Sequence, residues 1–419
     1  MAPRAAGYSS RRRVDQRQVE GVAGRRGASA GTVLRAVLEH GPVARSTIAR
    51  LTGLSPASVT GHSAELAQLG LIYELPDSVR SNGVGRPHVP VDLNTARYVV
   101  GAVHVAVPQT TTALLDLRGR VVAQCQEPHK EPHKEPHAGT DPVAVADRAA
   151  QALAGLLAAH AEAIPLGLGV ATGGWVDRES GTVVEHPLLG WRDVPLRELF
   201  AERTGLLVHV DGHARALLQG ERLFGLARGR DSVMHLFVGN VVDAAFAVGE
   251  SVHHGPRSQA GAIAHLPLAG SAEPCPCGRT GCLQATVSEL TLARRAVELG
   301  IVAEPSFALL LDGARRGDPA AAGLMAERAR WVGQAAALLM DVFDPEMVVV
   351  VEPGAMFLPQ SLDALRNEIR ARVSVGVDVE STVMATAFAE DTLAVAGGSV
   401  ILDALYRDPL QLLVSRWTI

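Results

Sequence analysis

The chain has 419 residues, of which 47% are hydrophobic and 20% are charged. That length predicts two or three domains, and the apolar content excludes an intrinsically disordered protein. The net charge of −5 is spread unevenly: residues 1–90 contain 12 Arg, no Lys and 6 acids, a charge of +6 that leaves −11 for the remainder. A basic head on an acidic body is expected where only the head meets phosphate, although a solvated tail gives the same split.

The sequence also indicates a cellular compartment. No apolar run is long enough to cross a bilayer, and the Arg-rich start lacks the apolar segment and the cleavage site of a signal peptide. Three of the four cysteines fall within eight residues, which is a poor disulfide framework and a good metal cluster. We therefore expect a cytoplasmic protein with no membrane partner.

The amino-terminal segment predicts a DNA-binding head. Residues 1–29 place arginines among Gly, Ala and Ser without apolar periodicity, which indicates a flexible basic arm or, alternatively, a disordered start with no role. A winged helix-turn-helix is predicted over 30–92, with Ser55 capping its third helix. Its predicted elements are helices at about 32–40, 44–51 and 56–69, a strand from 71, a turn at 81–83 and a returning strand from 89.

The helix-turn-helix signal depends on three residues. Ala49, Gly53 and Val59 stand where the motif needs a small residue, a turn glycine and an inward β-branched anchor, and a plain helical hairpin is the alternative. The third helix carries no Arg or Lys, so contacts to phosphate from elsewhere, including the arm, are expected to supply much of the affinity. The predicted DNA contacts are Arg45, Arg50, Ser55, Ala57, Ser58, Thr60, His62 and, in the wing, Arg80 and Arg86.

The rest of the chain predicts two α/β lobes, at 97–206 and 207–419. A Glu-Pro-His-Lys repeat at 127–137 indicates a solvated insertion in the first lobe rather than a metal-binding tract. The last helix, at about 391–406, is expected to fold back on the first lobe. The other predicted strands lie at 98–105, 111–117, 166–170, 207–210, 233–238, 244–248 and 348–351, and the helices at 141–161, 286–299, 305–315 and 318–343.

A metal site is predicted in the second lobe. His265, Cys275, Cys277 and Cys282 follow a His-x9-Cys-x-Cys-x4-Cys spacing. One imidazole and three thiolates complete a tetrahedral shell with no open position, which is typical of structural zinc, whereas scattered buried thiols are the alternative. Zinc is therefore the cofactor we expect. The remaining cysteine, Cys125, is expected to be ordinary core.

The string from Ala260 to His265, followed by Cys-Pro-Cys-Gly-Arg-Thr-Gly-Cys-Leu-Gln, resembles the ROK family of repressors, open reading frames and sugar kinases. The resemblance extends from Arg45 to Leu405 and includes the winged head of the family's repressor branch. It implies an α/β body with the actin-like ATPase fold, ribonuclease H-like and two-lobed, with a sugar cleft between the lobes. It also implies a homodimer or tetramer and a double-stranded DNA operator.

Compared with the family's kinases, four segments needed for phosphoryl transfer are altered. Transfer needs bare backbone around the phosphates, a metal-organising carboxylate and a base for the sugar hydroxyl. The Asp-x-Gly-x-Thr turn corresponds to 104–108, which has no acid, glycine or hydroxyl, and the Gly-Thr-Gly-x-Gly turn corresponds to 239–243. A late Gly-Gly becomes Glu352-Pro353, and the catalytic Asp becomes His213, or Asp211 if the register shifts. We expect no kinase activity.

The positions that hold sugar hydroxyls in the family are altered as well. They correspond here to Pro187, to Gly212 with His213, to Ala262 with His265, and to Gln284. Each lost hydrogen bond removes about 1 kcal/mol, and more where a carboxylate accepted it, so hexose affinity should fall well over a thousandfold. We expect that plain hexoses do not control the protein, and that a differently shaped ligand fills the cleft or none does.

These features favour a DNA-binding transcriptional regulator of the repressor kind, with an inactive kinase-like body that dimerises and can sense a small molecule. An active sugar kinase with an accessory DNA-binding head is the main alternative. A scaffold that binds neither DNA nor sugar stays open, because the third helix of the head is weakly basic.

Overall fold

The computed structural model describes residues 16–75, 89–129, 140–374 and 376–415. By their internal contacts these residues fall into two units. The first unit joins the chain up to Asn94 with the segment that starts at Ala404, and the second unit is Thr95–Asp403. No helix in the described ranges combines the length and the apolar character that a bilayer crossing requires.

The amino-terminal part of the first unit is built from three helices and a small sheet. Its elements are α1 (Gln16–His40), β1 (Val43–Ala44), α2 (Arg45–Thr52), α3 (Pro56–Gln68), β2 (Ile72–Glu74) and β3 (Pro90–Leu93). One apolar face of each helix turns inward, so that Val33, Ile48 and Leu66 are fully buried. Strand β3 lies between β1 and β2 in an antiparallel sheet. The predicted turn at 81–83 lies outside the described residues.

Helix α1 begins earlier than the sequence predicted. Residues 16–29, predicted as part of the flexible arm 1–29, are helical, and residues 1–15 lie outside the described part of the chain. Gly27, one of the glycines in the predicted arm, allows close packing instead, because a Cβ atom on it would overlap the Asp408 carboxylate. A Cβ atom on Gly31 would lie 2.5 Å from the carbonyl oxygen of Arg407, and the Arg35 guanidinium donates to the carbonyl oxygen of Tyr406. Sequence periodicity missed this helix because its partner comes from the far end of the chain.

The first lobe of the second unit surrounds a five-stranded sheet. Its elements are β4 (Tyr98–Val105), β5 (Gln109–Leu115), β6 (Val121–Pro128), α4 (Pro142–Ala159), β7 (Ile164–Thr172), β8 (Trp175–Asp177), β9 (Thr182–His186), β10 (Trp191–Val194), α5 (Leu196–Thr204) and β11 (Val208–Gly212). The sheet order is β11-β7-β4-β5-β6, and strands β8 to β10 form a small separate sheet. Most of the repeat at 127–137 lies outside the described residues.

Strand β11 belongs to the first lobe, not to the second lobe that was expected to begin at 207. It pairs in parallel with β7 from Val208 to Gly212. Helix α5 supplies the crossover that a parallel neighbour requires. The sequence predicted the strand itself, but local pattern does not specify which sheet a strand joins.

The second lobe also has a five-stranded sheet, in the order β14-β13-β12-β15-β16. Its elements are α6 (His213–Leu223), β12 (Ser232–Val238), β13 (Val242–Val248), β14 (Ser251–Val252), α7 (Leu283–Val287), α8 (Glu289–Glu298), α9 (Phe307–Arg315), α10 (Pro319–Phe343), β15 (Met347–Val351), α11 (Pro353–Phe357), α12 (Pro359–Arg372), α13 (Val379–Thr382) and β16 (Val383–Ala385). Helices α10 and α12 bury Ala336 and Leu365 in the same core as Leu236 of the sheet. The helix predicted at 286–299 is two helices, because Ser288 ends α7 and caps α8.

Two further helices end the chain, α14 (Thr392–Arg407) and α15 (Pro409–Ser415). Within the second unit, α14 packs on the first-lobe sheet through backbone-to-backbone contact. A Cβ atom on Gly169 would lie 2.1 Å from the carbonyl oxygen of Gly397, and one on Gly397 would lie 2.7 Å from the amide nitrogen of Val103. From Ala404 onward the chain belongs to the first unit. The sequence instead predicted this segment as part of the second lobe, at 207–419.

Candidate functional sites

Helix α3 has the features of a recognition helix. Gly53 ends α2 with a φ of 70°, which places the turn in the left-handed region that favours glycine. Ser55 is exposed, and its hydroxyl caps the helix by accepting from the amide of Ser58. Ala57 and Thr60 are exposed beyond it. These predicted contacts therefore lie on or beside one solvent-facing surface, with Ser58 half-buried at its margin.

The cations predicted to contact phosphate are not equally free. Arg50 is exposed at the end of α2. Arg45 donates to a carboxylate oxygen of Glu74 at 2.6 Å, so its guanidinium is engaged with strand β2. The two predicted wing contacts, Arg80 and Arg86, lie outside the described residues.

His62 differs from its prediction as an outward contact. Only 13% of its side chain is exposed, and its Nδ1 lies 3.7 Å from the carboxylate of Glu65. Glu65 also accepts from the Arg26 guanidinium at 2.8 Å. Because α1 begins early enough to bring Arg26 beside α3, this side of α3 is partly covered, and His62 is a poor candidate for base contact.

The predicted metal ligands come together. The donor atoms of His265, Cys275, Cys277 and Cys282 all lie within 4.8 Å of one another. Gly278 and Gly281 adopt positive φ angles of 85° and 70°, which lets the short loop wrap around its own thiols. One nitrogen and three sulfur donors at this separation can hold a metal ion.

Charge around the cluster suits a metal held by thiolates. The Arg279 side chain donates to the Cys277 sulfur at 3.4 Å and lowers the pKa of that thiol. Three thiolates exceed the charge of a divalent ion by one, and the guanidinium offsets that excess. Cys125, expected in the core, is instead half-buried on the edge strand β6, where burial raises the pKa of its thiol.

A cleft of about 1040 Å³ lies between the two lobes of the second unit. Pro187, Ala262, His265 and Gln284 line it, so the structure gathers most of the predicted sugar positions around one cavity. Cys277 contributes to the same wall. The loop that contains the four candidate metal ligands therefore forms part of the cleft wall.

Asp211 is buried behind the cleft and is fully engaged. Its Oδ1 accepts from Arg215 at 2.7 Å, and its Oδ2 lies 3.7 Å from both Arg178 and His254. Burial would raise the pKa of this carboxyl, but Arg215, followed by His254 and Arg178, holds it well below the usual range. A carboxylate bound in this way is a poor proton acceptor, so the register shift that would make Asp211 a catalytic base does not restore one.

His213, at the position of the family's catalytic acid, belongs to a buried chain of hydrogen bonds. Its Nε2 lies 3.1 Å from the Asp243 carboxylate, and its Nδ1 lies 3.4 Å from Nε2 of His104. The ring also stacks on Phe237, with centroids 3.8 Å apart. Both nitrogens of His213 are therefore committed to neighbours, and neither points freely into the cleft.

Two segments that correspond to phosphate-binding turns of the family's kinases are filled by side chains of this protein. A Cβ atom on Gly173 would lie 2.9 Å from a methyl of Val241, so Val241 packs directly on the opposite lobe. The Glu352 carboxylate accepts from the amides of Gly354 and Ala355 at the start of α11 and pairs with Arg328. Amides at a helix start are where phosphate binds in many folds, and here an internal carboxylate occupies them.

Arg328 was missed by the sequence analysis. It lies inside the apolar helix α10, and its side chain is completely buried. Its guanidinium donates to the carbonyl oxygens of Val287 and Val238 as well as pairing with Glu352. A lone arginine on the inner face of a long apolar helix was the available signal, because such a residue needs a buried acid.

Comparison with known proteins establishes the family. A family model described as the ROK family matches residues 101–404. The chain belongs to the ROK family. A transcriptional regulator of Mycobacterium tuberculosis is 32% identical over 398 residues, which cover 91% of this chain and 87% of that protein.

Two further likenesses extend over head and body. The DNA-binding transcriptional repressor Mlc of Escherichia coli is 25% identical to this ROK protein over 399 residues, covering 91% of this chain and 94% of the repressor. A crystal structure of a ROK family transcriptional regulator, a homologue of Mlc, shares the fold with a TM-score of 0.76 and 22% identity, covering 94% of this chain and 99% of that one. The actin-like α/β fold expected for ROK proteins is confirmed.

Buried histidines near the cleft predict acid sensitivity of this ROK body. Burial lowers the pKa of His186 to about 4 and that of His235 to about 3. Between pH 6.5 and 4 the unfolded chain binds protons that the folded chain does not, so stability is present above pH 6.5 and is lost as the pH falls. Each histidine contributes a slope of about 1.4 kcal/mol per pH unit.

Urea unfolding between pH 7.5 and 5 measures this slope. The variant His235→Leu, which cannot take up that proton when unfolded, should show a shallower fall than the wild type. Equal slopes for the two proteins would contradict the prediction.

Proposed function

We propose that this ROK protein is a DNA-binding transcriptional repressor whose kinase-like body does not transfer phosphate. The proposal is based on the structure of the amino-terminal head. Helices α2 and α3 meet at Gly53 in a helix-turn-helix that presents one side of α3 to solvent, and the relatives matched over both head and body are named transcriptional regulators. The expected partner is a double-stranded operator, bound by a homodimer or tetramer in the cytoplasm.

Three features of the cleft support the loss of phosphoryl transfer. The buried carboxylate of Asp211 is held ionised by Arg215 and Arg178. Val241 and Glu352 occupy space and amide groups that phosphate would need. An incoming nucleotide would meet the negative charge of Asp243 at the turn that replaces the glycine-rich segment. We therefore assign the body to dimerisation and ligand sensing.

Zinc is the metal we assign to His265, Cys275, Cys277 and Cys282. Thiolate and imidazole donors in a closed set of four favour zinc over harder ions, and the ion would supply structural bracing, not catalysis. The braced loop leads into Gln284, whose side chain accepts from the amide of Val242 on β13. Metal at the cluster would therefore stabilise the cleft wall that contains Gln284.

We also propose that a plain hexose is not the effector of this repressor. Pro187, Ala262 and Gln284 line the cleft where carboxylates and amides would bind hydroxyls. The cleft has room for a small molecule of another shape, and a repressor without an effector is the other outcome.

The proposal predicts specific DNA binding with steep salt dependence. Genomic fragments selected on the full chain should yield an operator, and Arg50→Ala should weaken binding to all sequences while reducing the logarithmic salt slope by about 1, because one phosphate contact is lost. Fluorescence anisotropy over a salt series measures both. Arg192→Ala, an exposed arginine of the body, is the matched control. Failure to select any fragment would contradict the proposal.

Purified protein should contain about one zinc per chain. Elemental analysis of Cys277→Ser should show loss of the metal, whereas Cys125→Ser, which removes the thiol outside the cluster, should retain it. Native protein without zinc, or equal zinc in both variants, would be incompatible with the assignment.

Incubation with ATP, magnesium and a panel of hexoses should give no sugar phosphate above background, because both candidate bases, Asp211 and His213, are already hydrogen-bonded to neighbouring side chains. Glucose, xylose and N-acetylglucosamine at millimolar concentration should also leave the protein–operator complex intact. Turnover would restore the sugar-kinase alternative, and release below about millimolar sugar would show that the sugar pocket is intact.

A further inference from the structure

The exposed surface of α3 contains a glycine that the protein itself does not require. Gly61 lies in the middle of the helix and is exposed, and a Cβ atom built on it would have no neighbour within 4 Å. Glycine is among the poorest helix formers, because it loses the most backbone freedom on folding. Neither packing nor backbone conformation explains its presence, which points to a requirement outside the chain.

The residues beside Gly61 on α3 are also small and exposed. Ala57 and Ala64, four residues before and three residues after it, lie on the same side of α3 and are also exposed. The hydroxyl of Thr60 donates to the carbonyl oxygen of Pro56 within the helix. The surface around Gly61 therefore presents methyl groups and bare backbone, and the long polar side chain on the same side of α3, Gln68, lies two turns further along the helix.

The lack of cationic side chains on α3 also indicates that this surface does not read bases by hydrogen bonds. Helix α3 contains no Arg or Lys, and Glu65, its one acid, is bound to Arg26. Nothing on the exposed surface of Ala57, Gly61 and Ala64 would repel a base edge, and nothing on it would form a bidentate contact to guanine. Apolar contact with the 5-methyl group of thymine is the readout that such a surface can provide in the major groove.

We propose that Gly61 sets how closely α3 approaches its operator, and that Ala57 and Ala64 read thymine methyl groups at that distance. The inference rests on the proposed function and names Gly61 as a specificity-determining residue for DNA. A single added methyl at Gly61 would fill the space between helix and bases and push both alanines away from the groove floor.

The test compares stability with operator affinity in the full chain. Gly61→Ala should raise the midpoint of thermal unfolding, since alanine favours the helix, and should weaken operator binding at least tenfold with an unchanged salt slope. Gly155→Ala, at another exposed helical glycine with no neighbour within 4 Å, should also raise the midpoint but should leave DNA affinity unchanged. Loss of both stability and binding in Gly61→Ala would assign the glycine to folding and overturn the inference.

A second arm tests the methyl readout directly. Replacing thymine by deoxyuridine, one operator position at a time, removes only the methyl group, and we expect at least a threefold loss of wild-type affinity at one or more positions. Gly61→Ala should lose this sensitivity. Full affinity at every deoxyuridine position, or full operator affinity of Gly61→Ala, would overturn the inference and leave the proposed function in place. A wild-type chain that binds no selected DNA would overturn both.

Discussion

The buried ion pair between Arg328 and Glu352 joins several elements of the second lobe. Both side chains are completely excluded from solvent, so each charge depends on the other and on nearby backbone groups for its solvation. Arg328 thereby joins the end of β12 to the end of α7, and Glu352 caps α11. Removing either partner would leave a bare charge in the core, at a cost of about 3–5 kcal/mol.

On the proposed function, this pair also contributes to the loss of phosphoryl transfer. Open amides and flexible glycines are what a nucleotide-binding fold offers to phosphate, and the pair replaces them with a satisfied internal carboxylate. The positions that correspond to catalytic groups of the family's kinases follow the same pattern, since Asp211 accepts a hydrogen bond from Arg215 and His213 is bound between Asp243 and His104. The cleft is still present, but Asp211 and His213 beside it form contacts within and between the two lobes.

The two ends of the chain meet in the first unit. Gly31 of α1 allows close approach of the backbone at Tyr406 and Arg407, which belong to α14. The earlier residues of α14 pack on the first-lobe sheet through Gly397. One continuous helix therefore contributes to both units. The chain thus crosses the boundary between the units twice, once at residues 94–95 and once within α14.

The sequence by itself determined the features that depend on local pattern or on close spacing. Gly53 and Ser55 mark the turn and the cap of the head because left-handed backbone and unpaired helix amides have specific residue preferences. The cluster of four candidate metal ligands could be predicted since three of them lie within eight residues, and the departures from the family's phosphate turns were visible as missing glycines. Only the tertiary structure decided the features that depend on distant partners. The helix at 16–29, the membership of β11 in the first sheet, the engagement of Arg45 and the pairing of Arg328 each require a contact from elsewhere in the chain. Local propensity contains no information about such a contact, and burial of a charge or close approach of two backbones becomes favourable only after the fold has formed.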